Sequence, residues 1–338
     1  MGASETERVP GTDSSPRPGV AVLGCGHWGR NLVRNLHEMG ALKAVADPDS
    51  ESVSQLQNEL RVKATNLATI LDDDRIRGVA IAAPASLHYE LAKTCLEAGK
   101  DVFVEKPLAL QVDQAKEITG LAEEFGSVLM VGHLMQYHPA FLTLKELVDD
   151  GRLGRMQYVY SNRLNLGRFR QEEDILWSFA PHDISMILSL IGDEPKHVRA
   201  IGSYHLDSEI ADVTTTHLSF LGGERAHVYV SWLHPYKEQR LVAVGDEGMA
   251  VFDDGEPWER KLQLYPHRIL WEKGVPQPVK ADAEPVALDA KEPLRMECAH
   301  FLECVATRAK PRTDGREGIR VLEVLTRAAE SMKRAEWT

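Results

Sequence analysis

The sequence predicts an α/β protein with an N-terminal doubly wound parallel sheet, followed by an α+β part with a large, mostly antiparallel open sheet. From residue 19 to residue 132, short apolar runs alternate with amphipathic segments of helical periodicity. Such alternation is typical of parallel strands joined by right-handed crossovers. After residue 139, several apolar runs follow one another across short gaps, a pattern that favours antiparallel pairing.

Apolar periodicity defines the elements of the first domain, which we assign to residues 19–138. Strands are predicted where a short apolar run stops at a glycine or a polar residue, and helices where apolar residues recur every three or four positions. The predicted strands cover residues 20–23, 42–46, 78–83, 101–104 and 128–132, and the predicted helices cover residues 27–39, 50–60, 86–98 and 112–125.

The second domain, residues 139–338, is predicted from the same signals. Helices are expected at residues 141–149, 184–190, 294–307 and 315–333, the last of them able to pack back on the first domain. Strands are expected at residues 156–164, 198–204, 213–220, 226–232, 240–244 and 249–252, with a hairpin turn at Gly222-Gly223. Residues 256–291 are rich in proline and charge and are expected to form long loops or an irregular extension.

Composition excludes several classes of protein. The 338 residues suit two domains, and no run approaches the roughly 18 apolar residues of a membrane helix. The formal net charge of -12 disfavours nonspecific binding to nucleic acid or to anionic membranes. Residues 1–18 are polar and are expected to form a disordered leader. The four cysteines have no metal-ligand spacing, so we expect no metal site and a cytoplasmic location.

The loop Gly24-Cys25-Gly26-His27-Trp28-Gly29 is a GxGxxG motif between a predicted strand and a predicted helix. In a Rossmann domain the first glycine makes the turn, the second lets the backbone approach a pyrophosphate, and the third lets helix and strand pack closely. Free amides at the helix N-terminus then bind the diphosphate. The alternative is a tight turn without a ligand.

An acidic residue follows the second predicted strand, as a dinucleotide site requires. Asp47 lies 23 residues after Gly24, where a carboxylate accepts hydrogen bonds from the ribose diol and repels a 2′-phosphate. It therefore favours NAD over NADP. The alternative interpretation is that Asp47 caps the next helix.

A charged pair follows the fourth predicted strand, in the run Glu105-Lys106-Pro107. Ligands of doubly wound sheets bind at the carboxyl ends of the strands. A lysine at the end of an apolar strand needs an anion, a carbonyl or a hydroxyl to satisfy its three donors. Pro107 orients the chain there, with a cis bond as one option. The alternative is a lysine that extends into solvent.

Together these motifs resemble the Gfo/Idh/MocA (glucose-fructose oxidoreductase / inositol dehydrogenase) family. The matching stretches are the glycine loop, residues 83–88, residues 99–107, and Pro181-His182-Asp183 before a predicted helix. They are spread over most of the chain between Gly19 and Lys333, and the run ending in Lys106-Pro107 is the most specific.

The resemblance implies that Lys106 and His182 flank the carbon that loses a hydride. A histidine with an ordinary pKa of about 6.5 can take the hydroxyl proton near neutral pH, and a lysine can stabilise the developing alkoxide. The resemblance also implies a homodimer or homotetramer formed through the C-terminal sheet. Besides the three glycines and Asp47, it implies cofactor contacts from His27, Trp28, Pro84, His88, Glu105 and Lys106.

The chain departs from the family at one position. Members often carry DxGxH before the second-domain helix, whereas here Ser178 stands four residues before His182. Asp183, directly after His182, is a candidate substitute for the missing aspartate.

Polar residues near the expected interdomain cleft indicate a sugar-nucleotide substrate by resemblance to that branch of the family, whose members oxidise the C3 hydroxyl of UDP-N-acetylglucosamine or its uronic acid. Arginines there can bind a diphosphate or a carboxylate. The alternatives are surface or interface positions for the arginines, and helix capping or packing for the histidines. Besides Lys106 and His182, the candidate substrate-binding residues are His133, Tyr137, His138, Arg163, Asn165, Arg168 and Asp183.

Three functions are compared on this basis. The leading hypothesis is an NAD-dependent sugar-nucleotide 3-dehydrogenase. The second is an inositol or free-sugar dehydrogenase, or a ketosugar reductase that works in the opposite direction. The third, from another class, is a noncatalytic cofactor-binding regulatory protein. That protein would be expected to lack Lys106 or His182, and both are present.

Overall fold

The first sheet lies in the N-terminal part of the molecule. A computed structural model of the chain describes residues 17–167, 169–171 and 173–334. In this part the five-stranded sheet has the order β2-β1-β3-β4-β5, and all neighbouring strands are parallel. The strands are β1 (Gly19–Leu23), β2 (Leu42–Ala46), β3 (Ile76–Ile81), β4 (Asp101–Glu105) and β5 (Leu129–Gly132). The strand order reverses between β1 and β3, which places a crevice at their carboxyl ends.

Helices cover both faces of this sheet and leave β1 and β4 buried along their whole length. Strands that are buried on both faces are expected to consist of nearly continuous apolar residues, as these do. The helices are α1 (Gly29–Glu38), α2 (Ser50–Leu60), α3 (Leu67–Asp72), α4 (His88–Glu97) and α5 (Val112–Phe125). Helix α3 was not predicted. It has only six residues, too few for a periodic signal, and Asn66 caps it by accepting a hydrogen bond from the Thr69 amide.

The second sheet has eight strands, in the order β15-β12-β11-β10-β6-β9-β8-β7. Only β6 and β9 pair in parallel, which confirms the mostly antiparallel prediction. The predicted turn at Gly222-Gly223 joins β8 to β9, and Gly223 has φ +102°. The strands are β6 (Met156–Leu164), β7 (His197–Ser203), β8 (Val213–Ser219), β9 (Arg225–Ser231), β10 (Glu238–Gly245), β11 (Met249–Asp253), β12 (Leu262–Tyr265) and β15 (Glu284–Pro285).

The prediction of loops at residues 256–291 was wrong in part. Strand β12 extends the large sheet, and β13 (Arg268–Glu272) pairs with β14 (Val275–Val279) in a separate hairpin. The hairpin was missed because β14 contains Pro276 and Pro278, which cannot donate to a sheet ladder. In the hairpin both prolines lie on an exposed two-stranded ribbon.

Among the described residues after 138, four helices complete the second part of the chain and join it to the first. They are α6 (Pro139–Asp149), α7 (Ile175–Ile191), α8 (Pro293–Thr307) and α9 (Gly315–Arg334). Helix α8 packs into the first-domain core, where Phe301 lies edge-on to Phe103 with ring centroids 5.8 Å apart. Helix α9 contacts α5, α7 and β7. No helix in the described part of the chain is long and apolar enough to cross a membrane.

Helix α7 is longer than the sequence predicts. It begins at Ile175, where Asp174 accepts a hydrogen bond from the Trp177 amide, and it continues through Pro181. A proline lacks the amide proton and usually ends or bends a helix, so the pattern suggested a start near residue 184. His182 therefore lies in the middle of a helix, and the prediction that it precedes one was wrong.

Candidate functional site

The glycine loop has the shape that a dinucleotide requires. Gly24 has φ +95°, and a Cβ atom there would lie 2.6 Å from the Ala82 carbonyl. A Cβ at Gly29 would lie 2.0 Å from the Gly24 oxygen, whereas a Cβ at Gly26 would meet no atom within 4 Å. The first and third glycines therefore allow close packing, and the second faces open space at the N-terminus of α1. A pyrophosphate fits such a space.

Asp47 ties the end of β2 to the glycine loop. Its carboxylate accepts hydrogen bonds from the Cys25 amide and, at 2.7 Å, from the Asp49 amide. The cap of α2 is Asp49, which accepts from the Glu51 amide. The structure therefore does not support the alternative interpretation, in which Asp47 caps α2. Each carboxylate oxygen keeps a lone pair, so Asp47 can still accept from a ribose diol.

Trp28 and Glu105 connect the glycine loop to the end of β4. The indole Nε1 donates to the Glu105 carboxylate. Glu105 is almost fully buried, and this burial raises its pKa to about 7. His27 and Gly26 lie exposed on the same loop as Trp28. The contact thus links the glycine loop to the residue directly before Lys106.

His88, expected at the cofactor, holds two loops together. It is 1% exposed, Nδ1 lies 2.7 Å from the Pro107 carbonyl oxygen, and Nε2 lies 2.9 Å from that of Ala83. A neutral ring has one N–H and can donate to only one of these oxygens, but both ring nitrogens lie against backbone. A direct cofactor contact by His88 is therefore not what the structure shows. Pro84 is exposed, just after β3.

Lys106 connects the first sheet to α7. Its Nζ donates to the Ser178 carbonyl oxygen at 2.8 Å, and the Lys106-Pro107 bond is cis. Burial lowers the pKa of Lys106, while the charges of Glu173 and Glu105 raise it. The ammonium therefore has a carbonyl acceptor in the site and does not extend into solvent.

His182 lies one helical turn beyond Ser178, so the two residues share a face of α7. Its Nδ1 is buried and has no hydrogen-bond partner in the described part of the chain. Burial lowers the pKa of His182 well below its ordinary value, and the charges of Arg163, Lys106 and His133 lower it further. Lys106 therefore lies close enough to His182 to act on its pKa, and the lowered pKa leaves His182 neutral near pH 7.

Two residues expected to bind substrate bind each other. Arg163 on β6 donates from Nε to the Asp183 carboxylate at 2.7 Å, and Ser161 donates to the same carboxylate at 2.6 Å. Both charged side chains are buried. Asp183 is therefore committed to β6 and does not take the place of the missing aspartate beside His182. The sequence gives no signal for this pairing of β6 with α7.

The His133–His138 segment also differs from its prediction. Tyr137 is 1% exposed in the first-domain core, and its hydroxyl lies 3.0 Å from His300 Nδ1 and 3.1 Å from Thr313 Oγ1. It does not face a cleft. His138 caps α6 by accepting from the Ala140 amide. The capping interpretation therefore describes His138, and neither residue is placed to contact substrate.

The remaining candidates follow β5 and β6. His133 is buried directly after β5, and its Nδ1 lies 2.5 Å from the Glu317 carboxylate. Asn165 is partly buried after β6, and its backbone N–H donates to the Ser231 carbonyl oxygen at 3.1 Å. Arg168 lies outside the described residues.

Sequence reasoning missed three carboxylates near the site. Glu173 raises the pKa of Lys106, and Glu317 binds His133. Burial raises the pKa of Glu297 on α8, and the charge of Glu105 raises it further. Each lies on a segment distant in sequence from its partner. These carboxylates were missed because no local motif marks them and only the fold brings each one to its partner.

Comparison with known proteins identifies the family. The family model for the oxidoreductase family with an NAD-binding Rossmann fold matches residues 19–133, and the GFO/IDH/MocA C-terminal domain matches residues 141–251. The chain belongs to the GFO/IDH/MocA family. It is an oxidoreductase that acts on CH–OH groups with a nicotinamide cofactor.

Individual relatives include sugar-nucleotide and inositol enzymes. The chain is 28% identical to UDP-N-acetylglucosamine 3-dehydrogenase of Acidithiobacillus ferrooxidans, over 90% of this chain and 93% of that one. It is 27% identical to scyllo-inositol 2-dehydrogenase (NAD(+)) of Bacillus subtilis, over 93% of both chains. The solved structure of the Acidithiobacillus enzyme superposes with a TM-score of 0.83 at 26% identity, covering 93% of this chain and 97% of that one. Aldose-aldose oxidoreductase of Caulobacter crescentus shares the fold, with a TM-score of 0.79 at 21% identity over 95% and 99% of the chains.

Proposed function

We propose that this protein oxidises a secondary hydroxyl of a sugar nucleotide with NAD. The proposed position is C3 of UDP-N-acetylglucosamine or of its uronic acid. The proposed chemistry rests on one observation: Lys106 donates a hydrogen bond to the Ser178 carbonyl oxygen of α7, one helical turn before His182. The similarity to a UDP-N-acetylglucosamine 3-dehydrogenase along nearly the whole chain supports the choice of substrate.

His182 is the proposed base. Because its pKa is lowered, the ring is neutral near pH 7 and can accept the hydroxyl proton. The Lys106 ammonium donates to the same oxygen and stabilises the negative charge that develops on it. In the reverse direction the two groups would return the proton to a reduced carbonyl.

The cofactor is proposed to bind along the crevice between the glycine loop and Lys106. When bound, the nicotinamide accepts the hydride from carbon. Gly24, Gly26 and Gly29 would hold the diphosphate, and Asp47 would hold the ribose diol and disfavour a 2′-phosphate. His27, Trp28, Pro84 and Glu105 are proposed to line this crevice.

The substrate side is proposed to include His133, Asn165 and Arg168, besides Lys106 and His182. The buried pair of Arg163 and Asp183 would support α7 behind His182 without contacting the sugar. Truncating either partner would leave the other charge buried and unpaired.

The test is an assay of reduced nicotinamide absorbance with a panel of UDP-sugars and free polyols, each with NAD and with NADP. We expect turnover with UDP-N-acetylglucosamine or its uronic acid and NAD. Oxidation of inositol without oxidation of any UDP-sugar would reject the proposed substrate in favour of the second hypothesis. Turnover only in the presence of a ketosugar and reduced cofactor would favour a reductase.

A further inference from the structure

A partly buried carboxylate on α9 connects the two halves of the candidate site. Glu317 accepts from Ser185 Oγ through Oε1, and its Oε2 lies 2.5 Å from His133 Nδ1. Ser185 also accepts from Gln136 Nε2 at 2.9 Å. His133 and Gln136 follow strand β5, whereas Ser185 belongs to α7. One side chain therefore holds the end of the first sheet against the helix that carries His182.

The anchors of α7 lie on both sides of His182. Ser178, four residues before it, accepts from Lys106, and Ser185, three residues after it, donates to Glu317. Residues at these spacings share one face of a helix. The face that carries His182 is thus fixed to the end of β4 by one contact and to the end of β5 by another.

His133 is the member of this network that acts on the pKa of the proposed base, His182. It is 2% exposed, and a proton added to its ring would help to lower the pKa of both Glu105 and His182. Its Nδ1 faces Glu317, and its Nε2 has no hydrogen-bond partner within the described residues. A carboxylate can only accept, so it favours the tautomer that carries a proton on Nδ1.

We propose that Glu317 is a positioning residue that holds His133 with Nδ1 protonated, so that Nε2 presents a lone pair to the substrate. The inference rests on the proposed function, because it gives His133 the role of accepting a hydrogen bond from a sugar hydroxyl. It adds a carboxylate that contacts neither substrate nor cofactor and acts through the imidazole ring. Outer residues of this kind commonly determine the orientation and tautomer of a functional histidine.

Glu317→Gln tests the proposal with almost no change of shape. Glu317 accepts from two donors, His133 and Ser185, whereas an amide offers one oxygen and one NH2 group. The amide can present either its oxygen or its NH2 group to His133, so the substitution removes the acceptor-only group that favours a proton on Nδ1. We expect kcat to fall about 10- to 100-fold, while the substrate KM and the NAD dissociation constant change by less than about threefold. The matched control is Glu323→Gln on the same helix, where Glu323 pairs with the exposed Lys116 at 2.9 Å. It should keep wild-type kcat.

A second measurement does not depend on turnover. In 15N-histidine-labelled wild-type protein at a pH of about 8, where an ordinary histidine is neutral, the His133 signals should show a protonated Nδ1 and an unprotonated Nε2. The His133→Gln spectrum identifies those signals. A proton on Nε2 in the wild type, or wild-type kcat in Glu317→Gln, would overturn the proposal. If no sugar nucleotide is oxidised, the proposed function fails, while the ring spectrum still tests the hold of Glu317 on His133.

Discussion

His182 lies in a cationic environment that determines its expected pH dependence. Burial and the charges of Arg163, Lys106 and His133 all lower its pKa. The proposed base must be neutral to accept a proton. Therefore kcat/KM should rise as pH increases through the pKa that His182 has in the substrate-free enzyme, and then level off.

The acid limb of kcat/KM should therefore have its midpoint well below the ordinary value of 6.5. The measurement is initial rate at subsaturating substrate over a pH series, with protein stability checked at each pH. An acid limb centred at or above 6.5 would contradict this assignment of the base.

Asp47 is expected to determine the choice between NAD and NADP. Asp47→Asn keeps hydrogen-bonding capacity but removes the charge that repels a 2′-phosphate. The ratio of NADP to NAD affinity should rise about tenfold or more, an effect of the size expected for a close like-charge pair. Dissociation constants from quenching of tryptophan fluorescence would measure it. Asp49→Asn, two residues away at the cap of α2, is the control, and an unchanged ratio in Asp47→Asn would remove Asp47 from the ribose site.

At the scale of single residues, the sequence best predicts the position of a residue where a local motif determines the backbone around it. The glycine loop and Lys106 lie where predicted because a strand end and its following turn position them. Arg163, Asp183 and Tyr137 were expected in the cleft but found partners inside the protein. Their partners lie on other elements, and a charged or phenolic side chain gives no local indication of what will satisfy it.

Among the elements, α7 and the β13–β14 hairpin show where periodicity fails. Each contains proline within a regular element, which the backbone tolerates here in the middle of a buried helix and on an exposed ribbon. The parallel strands were predicted closely because continuous apolar runs between glycines have few other interpretations. The same signals predicted α2 and α5 to the residue.

Helix α8 carries an ionisable group that opposes folding at neutral pH. Glu297 is 0% exposed, neither carboxylate oxygen has a partner among the described residues, and burial raises its pKa well above the ordinary value. The folded state keeps the proton, whereas the unfolded state loses it above its own pKa near 4.5. Stability from this group is therefore present below that pH and lost as pH rises toward the folded-state pKa.

Glu297→Met should consequently raise the melting temperature at pH values near 7 and raise it less near pH 4. Methionine has a similar volume and leaves no polar atom unsatisfied. Thermal unfolding of both proteins at the two pH values measures the effect. A melting temperature that falls equally at both would show that Glu297 has a partner that stabilises it.

In the whole molecule, the large sheet has two unlike faces. Alternating residues of β6 and β9 face α7, and the opposite face carries half-buried aromatic rings. There Tyr160 stacks on His227 with ring centroids 5.3 Å apart, and Tyr158 lies 5.5 Å from the same ring. We propose this face as the contact between copies of the chain.

The protein should therefore be a homodimer or homotetramer in solution. Tyr160→Glu places a charge in the proposed contact and should reduce the mass measured by light scattering at the same concentration. Phe125→Glu, an exposed position in the first domain, should leave the mass unchanged. A wild-type monomer, or a Tyr160→Glu protein of unchanged mass, would reject this face as the contact.

The central claim is that Lys106 and His182 act together on one carbon–oxygen bond. It is tested most directly by the rate of nicotinamide reduction in a single turnover, measured for Lys106→Ala, His182→Ala and the double variant. Each single substitution should slow hydride transfer at least about 100-fold, with NAD affinity within a few fold, and the double should be little slower than the worse single. Normal hydride transfer in Lys106→Ala, or losses in the two single variants that multiply in the double, would contradict the account.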